Sequence, residues 1–370
     1  MRRFCGTTQF SVGATHHSRN MAMQFSVFKG DLVVLSSLLS RYKHRLRRKK
    51  MLWRAFRSRH QLSALQNQTR VIARDDILMF ACVRNEALRL PYFLKHYRAL
   101  GVRHFLIVDN GSDDETLSLL QGQPDVSLWS TGHSYKASRF GMDWLNWLLM
   151  RYGRGHWTVT ADADELLIYP DYDQRALPEL TQWMERRGQM MMGAMMLDLY
   201  AKGPTDEVKY VAGDDPTLAL PWFDAYGYWV QKYPKLGNVS LQGGPRARCF
   251  FAEDTTRAPT LNKTPLVKWR RRYVYMNSMH DALPTWLNET YDTGNGEPVS
   301  GVLLHSKFLP DAAARARQEQ IRKEHFSNSA LYDDYYGAVA KSPDLWAPES
   351  LKFSGWRQLV RLRLMSRGDW

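Results

Sequence analysis

Short apolar runs alternate with amphipathic segments along the middle of the chain. The runs have the length and composition of strands that are buried on both faces. They lie at 77–83, 102–108, 126–129 and 157–161. The segments between them predict helices at 92–100, from 112 or 113 to 120, and at 136–152. Pro91 and Gly101 suit the start and the stop of the first helix. This spacing of strands and helices predicts a parallel sheet.

The alternation weakens after Pro170. Extended segments are predicted at 190–199, 226–230, 247–251, 273–276 and 301–304, and a polar helix is predicted from 311 to about 326. We therefore expect an α/β domain at 75–310, built on a mixed, mostly parallel sheet flanked by helices. A helical C-terminal extension at 311–370 would pack on this domain. A basic N-terminal arm at 1–74, partly disordered or forming an amphipathic helix, would precede it.

Polar side chains follow three of the predicted strands at the point where each strand ends. They are Arg84-Asn85-Glu86, the segment from Asp109 to Asp114, and the segment from Asp162 to Glu165. The carboxyl ends of parallel strands meet at one edge of a sheet, and ligands of open α/β sheets bind outside that edge. We therefore expect the three clusters to form one binding site.

The third cluster places three carboxylates within four residues, directly after an apolar run. Alternate side chains of a strand share a face, so Asp162 and Asp164 would point to the same side. Neighbouring carboxylates repel each other, and their burial without a partner is costly. A Mg²⁺ or Mn²⁺ ion would relieve both effects while binding substrate phosphates. The alternative is a solvated acidic turn after a strand.

The net charge of +14 is concentrated in the N-terminal fifth of the chain. Residues 1–74 hold 16 Lys and Arg against one acid, whereas residues 75–370 sum to −1. As a helix, residues 41–60 would carry ten basic side chains and an apolar stripe within one ~80° arc. The stripe consists of Tyr42, Leu46, Trp53 and Phe56.

This basic, amphipathic pattern suits an interfacial helix on an anionic membrane. The alternatives are a solvated arm that touches nothing and an arm that binds nucleic acid. Because the remainder of the chain is nearly neutral and carries the acidic cluster, we do not expect nucleic acid to be the main partner.

Cysteine usage and hydropathy favour a cytoplasmic location. Cys5, Cys82 and Cys249 show no pairing or metal-binding spacing, which is typical of a reducing compartment. No run approaches the ~20 apolar residues of a membrane span. The first 30 residues lack the ordered regions of a signal peptide. We expect a cytoplasmic protein that contacts the inner face of the membrane if the basic arm binds lipid.

The order of several motifs resembles a known enzyme family. Val83 to Glu86, Val108 to Thr116 and Asp162 to Glu165 stand in the order found in glycosyltransferase family 2, which has a GT-A fold. Four later segments resemble the bacterial family-2-like subgroup: 243–248, 263–269, His280 and 303–308. The resemblance covers roughly residues 76–330 and leaves out the basic arm.

The resemblance implies a nucleotide-sugar donor at the strand ends. Asn85 and Glu86 would lie beside the nucleotide. Asp109 would contact its base or ribose, with Asp113 nearby. Asp162 would serve the donor as well as the metal.

The resemblance also implies a metal–diphosphate site. Asp162 and Asp164 would serve a Mn²⁺ or Mg²⁺ ion and the diphosphate. A late histidine often completes such a metal shell, and His280 and His305 both qualify. We favour His280 for its polar surroundings, since His305 could equally be a satisfied core histidine. Lys307, on the same face of the strand as His305, is a candidate diphosphate partner.

Further candidates stand in the second half of the chain. Arg246 and Arg248 could clamp a diphosphate or form ordinary ion pairs. Family 2 members usually invert the anomeric centre, which requires a base near the acceptor. The sequence leaves four candidates for this base: Asp198, Glu253, Asp254 and Asp281.

The leading hypothesis is a metal-dependent, inverting glycosyltransferase that acts on a glycan or glycolipid acceptor in surface polysaccharide biosynthesis. A sugar-phosphate nucleotidyltransferase is the second. Such enzymes generally carry a glycine-rich loop after the first strand, and residues 84–87 contain no glycine. A non-enzymatic membrane or nucleic-acid binding protein that acts through the basic arm is the third.

Overall fold

The computed structural model describes residues 26–233, 236–290, 298–322, 324 and 332–370, with side chains from residue 39 onward. The chain divides into two compact units, 1–43 and 44–370. The described part of the first unit is the N-terminal portion of one long helix. Everything below concerns the second unit unless stated otherwise.

Ten α-helices and fifteen strands occur in the described ranges. The helices are α1 Ser26–Ser58, α2 Leu90–Ala99, α3 Thr116–Gln121, α4 Met142–Tyr152, α5 Leu177–Arg186, α6 Pro216–Ala219, α7 Gly244–Phe250, α8 Ala312–Arg322, α9 Asp333–Val339 and α10 Trp356–Arg361. The strands are β1 Ser63–Gln66, β2 Ile77–Val83, β3 Val102–Asp109, β4 Val126–Ser130, β5 Trp157–Thr160, β6 Glu165–Ile168, β7 Met191–Asp198, β8 Trp222–Asp224, β9 Trp229–Tyr233, β10 Asn238–Gln242, β11 Asn262–Lys268, β12 Val274–Asn277, β13 Asp281–Leu283, β14 Gly301–His305 and β15 Ser350–Lys352.

The largest sheet in the described ranges has nine strands in the order β1-β4-β3-β2-β5-β11-β7-β14-β6. Strands β4, β3, β2, β5, β7 and β14 point the same way, while β1, β11 and β6 run against them. The prediction of a mixed, mostly parallel sheet flanked by helices is therefore confirmed. The carboxyl ends of six strands and the amino ends of β6 and β11 consequently meet at one edge.

Both faces of the sheet are buried, as the apolar runs predict. In β2, Ile77, Met79, Ala81 and Val83 join a cluster with α2 and α5 on one face. Leu78 and Phe80 alternate with them and pack against α4 on the other face. A strand whose two faces are both covered has no polar side, which explains its continuous hydrophobic sequence.

Two predicted helix starts differ from the structure because of local backbone geometry. The helix predicted from residue 136 begins only at Met142, since Arg139, Phe140 and Gly141 have φ angles of 57°, 58° and 74°. Residues in this left-handed region cannot continue an α-helix. The predicted caps Ser112 and Asp113 are also wrong: the Asp114 carboxylate accepts the hydrogen bond from the Thr116 amide, at 2.9 Å.

The strand predicted at 247–251 is wrong, because this segment belongs to helix α7. Gly243 precedes the helix with a φ of 136°, and Pro245 lies in its first turn. Glycine allows the sharp entry into the helix, and proline is favoured in the first turn. The apolar spacing of so short a segment does not distinguish a helix from a strand.

The boundaries of the predicted regions also differ from the structure. Residues 63–66, which were assigned to the arm, form strand β1 and pair with β4 at the sheet edge. The C-terminal half of α1 is packed as well, with Met51 and Ala55 buried. Residues 44–74 therefore belong to the compact unit that starts at His44. The extension after residue 310 is not wholly helical, since β15 pairs with β8.

Within the described residues, no helix combines the length and the hydropathy that crossing a bilayer requires.

Candidate functional site

A cavity of about 430 Å³ lies at the sheet edge where the strand ends meet. This volume is within the usual range for small-molecule sites. Its walls come from the segments after β2, β5 and β14 and from α7, α8 and α9. We call it the sheet-edge cavity. Its charged and histidine lining residues are Arg84, Glu86, Arg89, Asp162, Asp164, Glu165, Arg246, Lys263, His280, His305, Lys307, Arg315, Glu319 and Arg322.

Strand register brings a histidine between carboxylates. His305 ends β14 and lies directly opposite Asp198 of β7 and Glu165 of β6. Its Nδ1 lies 2.6 Å from Asp198 Oδ1, and its Nε2 lies 3.1 Å from Asp164 Oδ2. The other Asp198 oxygen accepts a hydrogen bond from Arg246 Nε at 2.7 Å. Arg246, Asp198, His305 and Asp164 are thus linked by hydrogen bonds in this order, and Asp164 lies on the cavity wall.

The charges of these four linked side chains stabilise one another. Burial lowers the pKa of His305, but Asp164 and Asp198 outweigh burial and raise it above its usual value. Burial raises the pKa of Asp164, yet the His305 imidazolium holds it well below the usual range. Arg246 and His305 together hold the pKa of buried Asp198 at about 2. Because carboxylates only accept hydrogen bonds, both ring nitrogens of His305 donate here.

A buried lysine neutralises the other two carboxylates of the acidic cluster. Lys263 Nζ lies 2.9 Å from Asp162 Oδ2 and also donates to Glu165. Burial raises the pKa of Glu165 to about 7, with Lys263 opposing and Asp162 adding to the rise. The repulsion that suggested a divalent ion is thus already relieved by Lys263 and His305 without one.

Three ligand atoms nevertheless meet in a geometry that suits a metal. Among the described residues, one group of three or more metal-ligating side chains comes together: Asp164, Glu165 and His305, with ligand atoms all within 4.8 Å of one another. Two carboxylates and an imidazole are ligands that Mn²⁺ accepts. The carboxylate of Asp198 behind Nδ1 is the partner that metal-bound histidines usually have. The side chains present therefore fit a divalent ion, which would take the place of the proton that His305 Nε2 donates to Asp164.

This group differs from the predicted metal ligands in three places: it adds Glu165 and leaves out Asp162 and His280. Asp162 pairs with Lys263 and is not a member, although it lines the cavity. His280, which we favoured over His305, also lines the cavity but is not a member. Its Nδ1 donates to the Asn262 carbonyl oxygen at 2.7 Å, and burial, with Lys263, lowers its pKa to about 4. The geometry thus favours His305.

Two positively charged side chains on the cavity wall, Lys307 and Arg246, have hydrogen-bond donors that are not used within the described part of the chain. Lys307 forms no ion pair or hydrogen bond within the described part of the chain, and burial lowers its pKa although Asp164 opposes this. Arg246 uses Nε for Asp198, but its buried Nη2 has no partner among the described residues. A buried donor without a partner, such as Arg246 Nη2, is uncommon and suggests a ligand with acceptor oxygens. Both residues were predicted to bind the diphosphate.

Of the second polar cluster, residues 109–114, Asn110 alone lines the cavity. The Asp109 carboxylate accepts hydrogen bonds from the amides of Gly111 and Ser112 at 3.0 and 3.1 Å, and it stabilises its own loop. Asp113 exchanges hydrogen bonds with Asn85 at 2.6 and 2.9 Å. The predicted contacts of Asn85, Asp109 and Asp113 with the donor are therefore not supported, because these side chains bind each other or the backbone.

Further predicted residues also lie outside the cavity lining. Arg248 is partly exposed and forms two 2.9 Å hydrogen bonds with Asp224. Glu253 and Asp254 are exposed, and Asp254 caps the turn at Thr256. These positions do not support the diphosphate role of Arg248 or a catalytic role of the two acids.

The other two candidate bases are also engaged elsewhere. Asp281 accepts a hydrogen bond from Asn238 at 2.6 Å, and burial raises its pKa. Asp198 is buried and uses both oxygens for Arg246 and His305. The structure therefore does not support any of the four predicted bases.

Sequence reasoning missed a charged cluster that joins the cavity to α8. Arg315 of α8 donates to both carboxylate oxygens of Glu86, one at 2.8 Å. Arg89 is buried and donates to both oxygens of Asp311 at 2.6 and 2.7 Å. Asp311 and Arg315 stand four residues apart, the spacing of an ion pair on the predicted polar helix, but no local signal relates them to Glu86 and Arg89. Glu86 is therefore on the cavity wall as predicted, but it pairs with arginine.

No protein-family model matches this chain, and no curated protein matches it. Solved structures do match. One is described as a glucose-1-phosphate thymidylyltransferase from Bacillus anthracis in complex with a sucrose: 8% identity, TM-score 0.28, covering 72% of this chain and 84% of that one. Another is 4-diphosphocytidyl-2C-methyl-D-erythritol synthase: 11% identity, TM-score 0.26, covering 79% and 99%. Both are named as enzymes, but similarities at TM-scores this low carry no argument about the present chain.

Proposed function

We propose that this chain is a metal-dependent glycosyltransferase of the GT-A type, which moves a sugar from a nucleotide-sugar donor to a glycan or glycolipid acceptor. One observation carries the proposal. The cavity that holds Asp164, Glu165 and His305 also holds Lys307 and the unpartnered Nη2 of Arg246. We call Asp164, Glu165 and His305 the metal group. A metal group beside positively charged side chains that can still donate hydrogen bonds is the environment that a diphosphate requires. The ordered motifs that resemble family 2 support the same proposal.

Asp164, Glu165 and His305 would hold a Mn²⁺ or Mg²⁺ ion. When bound, such an ion stabilises the negative charge that develops on the departing diphosphate. Asp198 holds the ring of His305 in place through Nδ1, so that Nε2 faces Asp164. Lys307 and Arg246 would donate hydrogen bonds to the diphosphate oxygens.

The acceptor hydroxyl needs a base if the anomeric centre inverts. Two carboxylates that line the cavity belong neither to the metal group nor to the ion pairs that Glu86 forms with arginine. They are Asp162 and Glu319. Glu319 replaces the four predicted acids as the candidate, because Asp162 is already paired with Lys263. Glu319 lies on α8, so the C-terminal extension would contribute to chemistry as well as to packing.

A sugar-phosphate nucleotidyltransferase is the second candidate. Its site also binds phosphates through a metal and cations, and Arg84, directly after β2, lines the cavity as a basic residue of such a loop would. The two activities differ in their products. A glycosyltransferase releases a nucleoside diphosphate, whereas a nucleotidyltransferase releases pyrophosphate from a nucleoside triphosphate and a sugar phosphate.

Product analysis distinguishes them. The full chain is incubated with UDP-, GDP- and dTDP-sugars, and separately with nucleoside triphosphates plus sugar 1-phosphates, each with and without Mn²⁺. We expect slow, Mn²⁺-stimulated release of a nucleoside diphosphate from one donor class, because water can replace the acceptor. Pyrophosphate release would instead establish the second candidate, and the absence of both would contradict the proposed site.

A further inference from the structure

Large hydrophobic side chains are exposed along helix α1. Fourteen such side chains are exposed in the described part of the chain, and five of them lie on this one helix. They are Leu39, Tyr42, Leu46, Trp53 and Phe56. Leu46, Trp53 and Phe56 belong to the compact unit that starts at His44. Trp53 is 59% exposed, which is unusual for the largest apolar side chain.

Within the second unit, Leu46, Trp53 and Phe56 are exposed on a different side of α1 from its buried residues. Met51, Ala55 and Ser58 are buried. At 100° per residue, Trp53 stands about 160° around the helix from Met51 and from Ala55. The buried side is fixed by Arg54, which donates to Asp143 at 2.8 Å. The side that carries Trp53 therefore faces away from the core, and Phe56 lies at its border with the domain.

The apolar surface continues beyond the helix. The rings of Trp53 and Phe56 are stacked with centroids 5.8 Å apart, and Phe56 meets the edge of Trp147 at the same distance. The guanidinium of Arg59 lies 3.6 Å from the centre of the Phe56 ring. Leu46, Trp53, Phe56 and Trp147 are called the α1 patch from here on.

Positive charge surrounds the α1 patch. Residues 44–58 contain seven Lys and Arg and no acid. Five of the seven are exposed and are not ion-paired within the described part of the chain: Arg45, Arg47, Lys49, Lys50 and Arg57. A partner must therefore be apolar at its centre and anionic around it.

We propose that the α1 patch seats this protein on an anionic lipid bilayer, with α1 lying in the interface. Tryptophan and phenylalanine enter the boundary between headgroups and acyl chains, while Arg and Lys reach the lipid phosphates. Nucleic acid would use the basic side chains but leave the apolar centre in water. The proposal is independent of the catalytic function, since none of its residues lines the sheet-edge cavity.

Co-sedimentation of the full chain with vesicles tests this proposal. We compare phosphatidylcholine vesicles with vesicles that also contain phosphatidylglycerol, at low and at high salt. The variant Trp53→Ser/Phe56→Ser removes the apolar centre. The matched control Leu218→Ser/Tyr226→Ser removes two side chains that are 80% and 69% exposed elsewhere. We expect salt-sensitive binding to the anionic vesicles, a loss of about tenfold or more in the first variant, and wild-type binding in the control.

Several outcomes would overturn the proposal. Equal vesicle binding by the first variant and the control would remove the role of the α1 patch. A wild-type dimer that becomes monomeric in the variant, seen by sedimentation velocity, would make the patch a self-association surface. Tighter binding of the wild type to a labelled RNA or DNA duplex than to anionic vesicles would assign the helix to nucleic acid. The variant Lys49→Gln/Lys50→Gln keeps the test decisive if the aromatic variant does not fold, and it should also weaken vesicle binding.

Discussion

At the scale of single residues, the acidic cluster lies at the sheet edge, as the strand pattern predicts. The partners of its carboxylates, Lys263 and His305, were not predicted. The argument from alternation requires a strand that continues through Asp162 and Asp164, whereas β5 ends at Thr160 and the residues that follow form a turn. Lys263, which neutralises Asp162 and Glu165, is 101 and 98 residues away along the chain. Local sequence patterns do not contain this contact, which depends on the tertiary position of β11.

The first prediction concerns the buried Lys263. Lys263→Met leaves Asp162 and Glu165 without their cation, and breaking a buried ion pair typically costs about 3–5 kcal/mol. We expect a comparable loss in the free energy of unfolding, measured by urea denaturation without metal. Mn²⁺ should restore more stability to the variant than to the wild type, because the metal replaces the lost charge. Lys268→Met, on the same strand and in a more exposed pair with Glu185, is the control and should cost about 1 kcal/mol or less.

The second prediction separates the two histidines. His305→Gln should weaken Mn²⁺ binding about tenfold to a hundredfold, because it removes a proposed ligand that Asp198 orients. His280→Gln should leave the affinity nearly unchanged, since His280 lies outside the metal group. Isothermal titration with Mn²⁺ in the presence of UDP measures both. The reverse ranking would restore His280 as the ligand.

At the scale of elements, the sequence predicts the first half of the sheet well. The predicted strand at 77–83 matches β2 at both ends. Gly101 ends its helix with a φ of 95°, as expected of a residue that stops a helix. The second half depends on long-range pairing, since β11 lies between β5 and β7 and no local signal specifies that position. Helix α7 was missed because its start depends on the backbone geometry of Gly243 rather than on periodicity.

The third prediction concerns a buried histidine on helix α2. His96 Nε2 donates to the Leu167 carbonyl oxygen at 2.9 Å. Burial lowers its pKa from 6.5 to about 4, although the hydrogen bond and Asp215 oppose the shift. Between these values the unfolded chain binds a proton that the folded chain does not. The contribution of His96 to the free energy of unfolding is therefore fully present above pH 6.5, the pKa in the unfolded chain, and is lost as the pH falls toward 4.

The expected size is on the order of 2 kcal/mol of unfolding free energy lost by about pH 5. Urea denaturation at about pH 7.5 and about pH 5 should show a smaller decrease for His96→Gln than for the wild type, by roughly this amount. Equal decreases in both proteins would mean that His96 titrates normally in the folded state.

At the scale of the whole molecule, the uneven charge was read correctly from the sequence, but the arm that it suggested is shorter. Charge alone cannot show that Met51 and Ala55 of α1 are buried on the domain or that β1 completes the sheet edge. Both features depend on contacts with residues far along the chain, such as Asp143 and β4. A basic composition is compatible with packing because a helix can bury one side and expose the other.

The fourth prediction follows from this boundary. A chain that begins at His44 should fold with nearly the melting temperature of the full protein, since the compact unit starts there. A chain that begins at Asp75 should melt several degrees lower or aggregate, because it exposes the surfaces that β1 and α1 cover. Thermal unfolding followed by circular dichroism compares the two. Equal melting temperatures would return residues 44–74 to the status of a dispensable arm.

The most direct test of the whole account is donor hydrolysis by Asp164→Asn across a Mn²⁺ titration. The substitution keeps the shape of the side chain but removes a proposed ligand charge. We predict a folded protein, verified by its melting temperature, that has lost most Mn²⁺-dependent release of nucleoside diphosphate. Asp162→Asn should lose less, and the control Glu253→Gln, an exposed carboxylate outside the cavity, should behave as wild type. Wild-type activity and metal dependence in folded Asp164→Asn protein would contradict the metal–diphosphate site, and with it the proposed function.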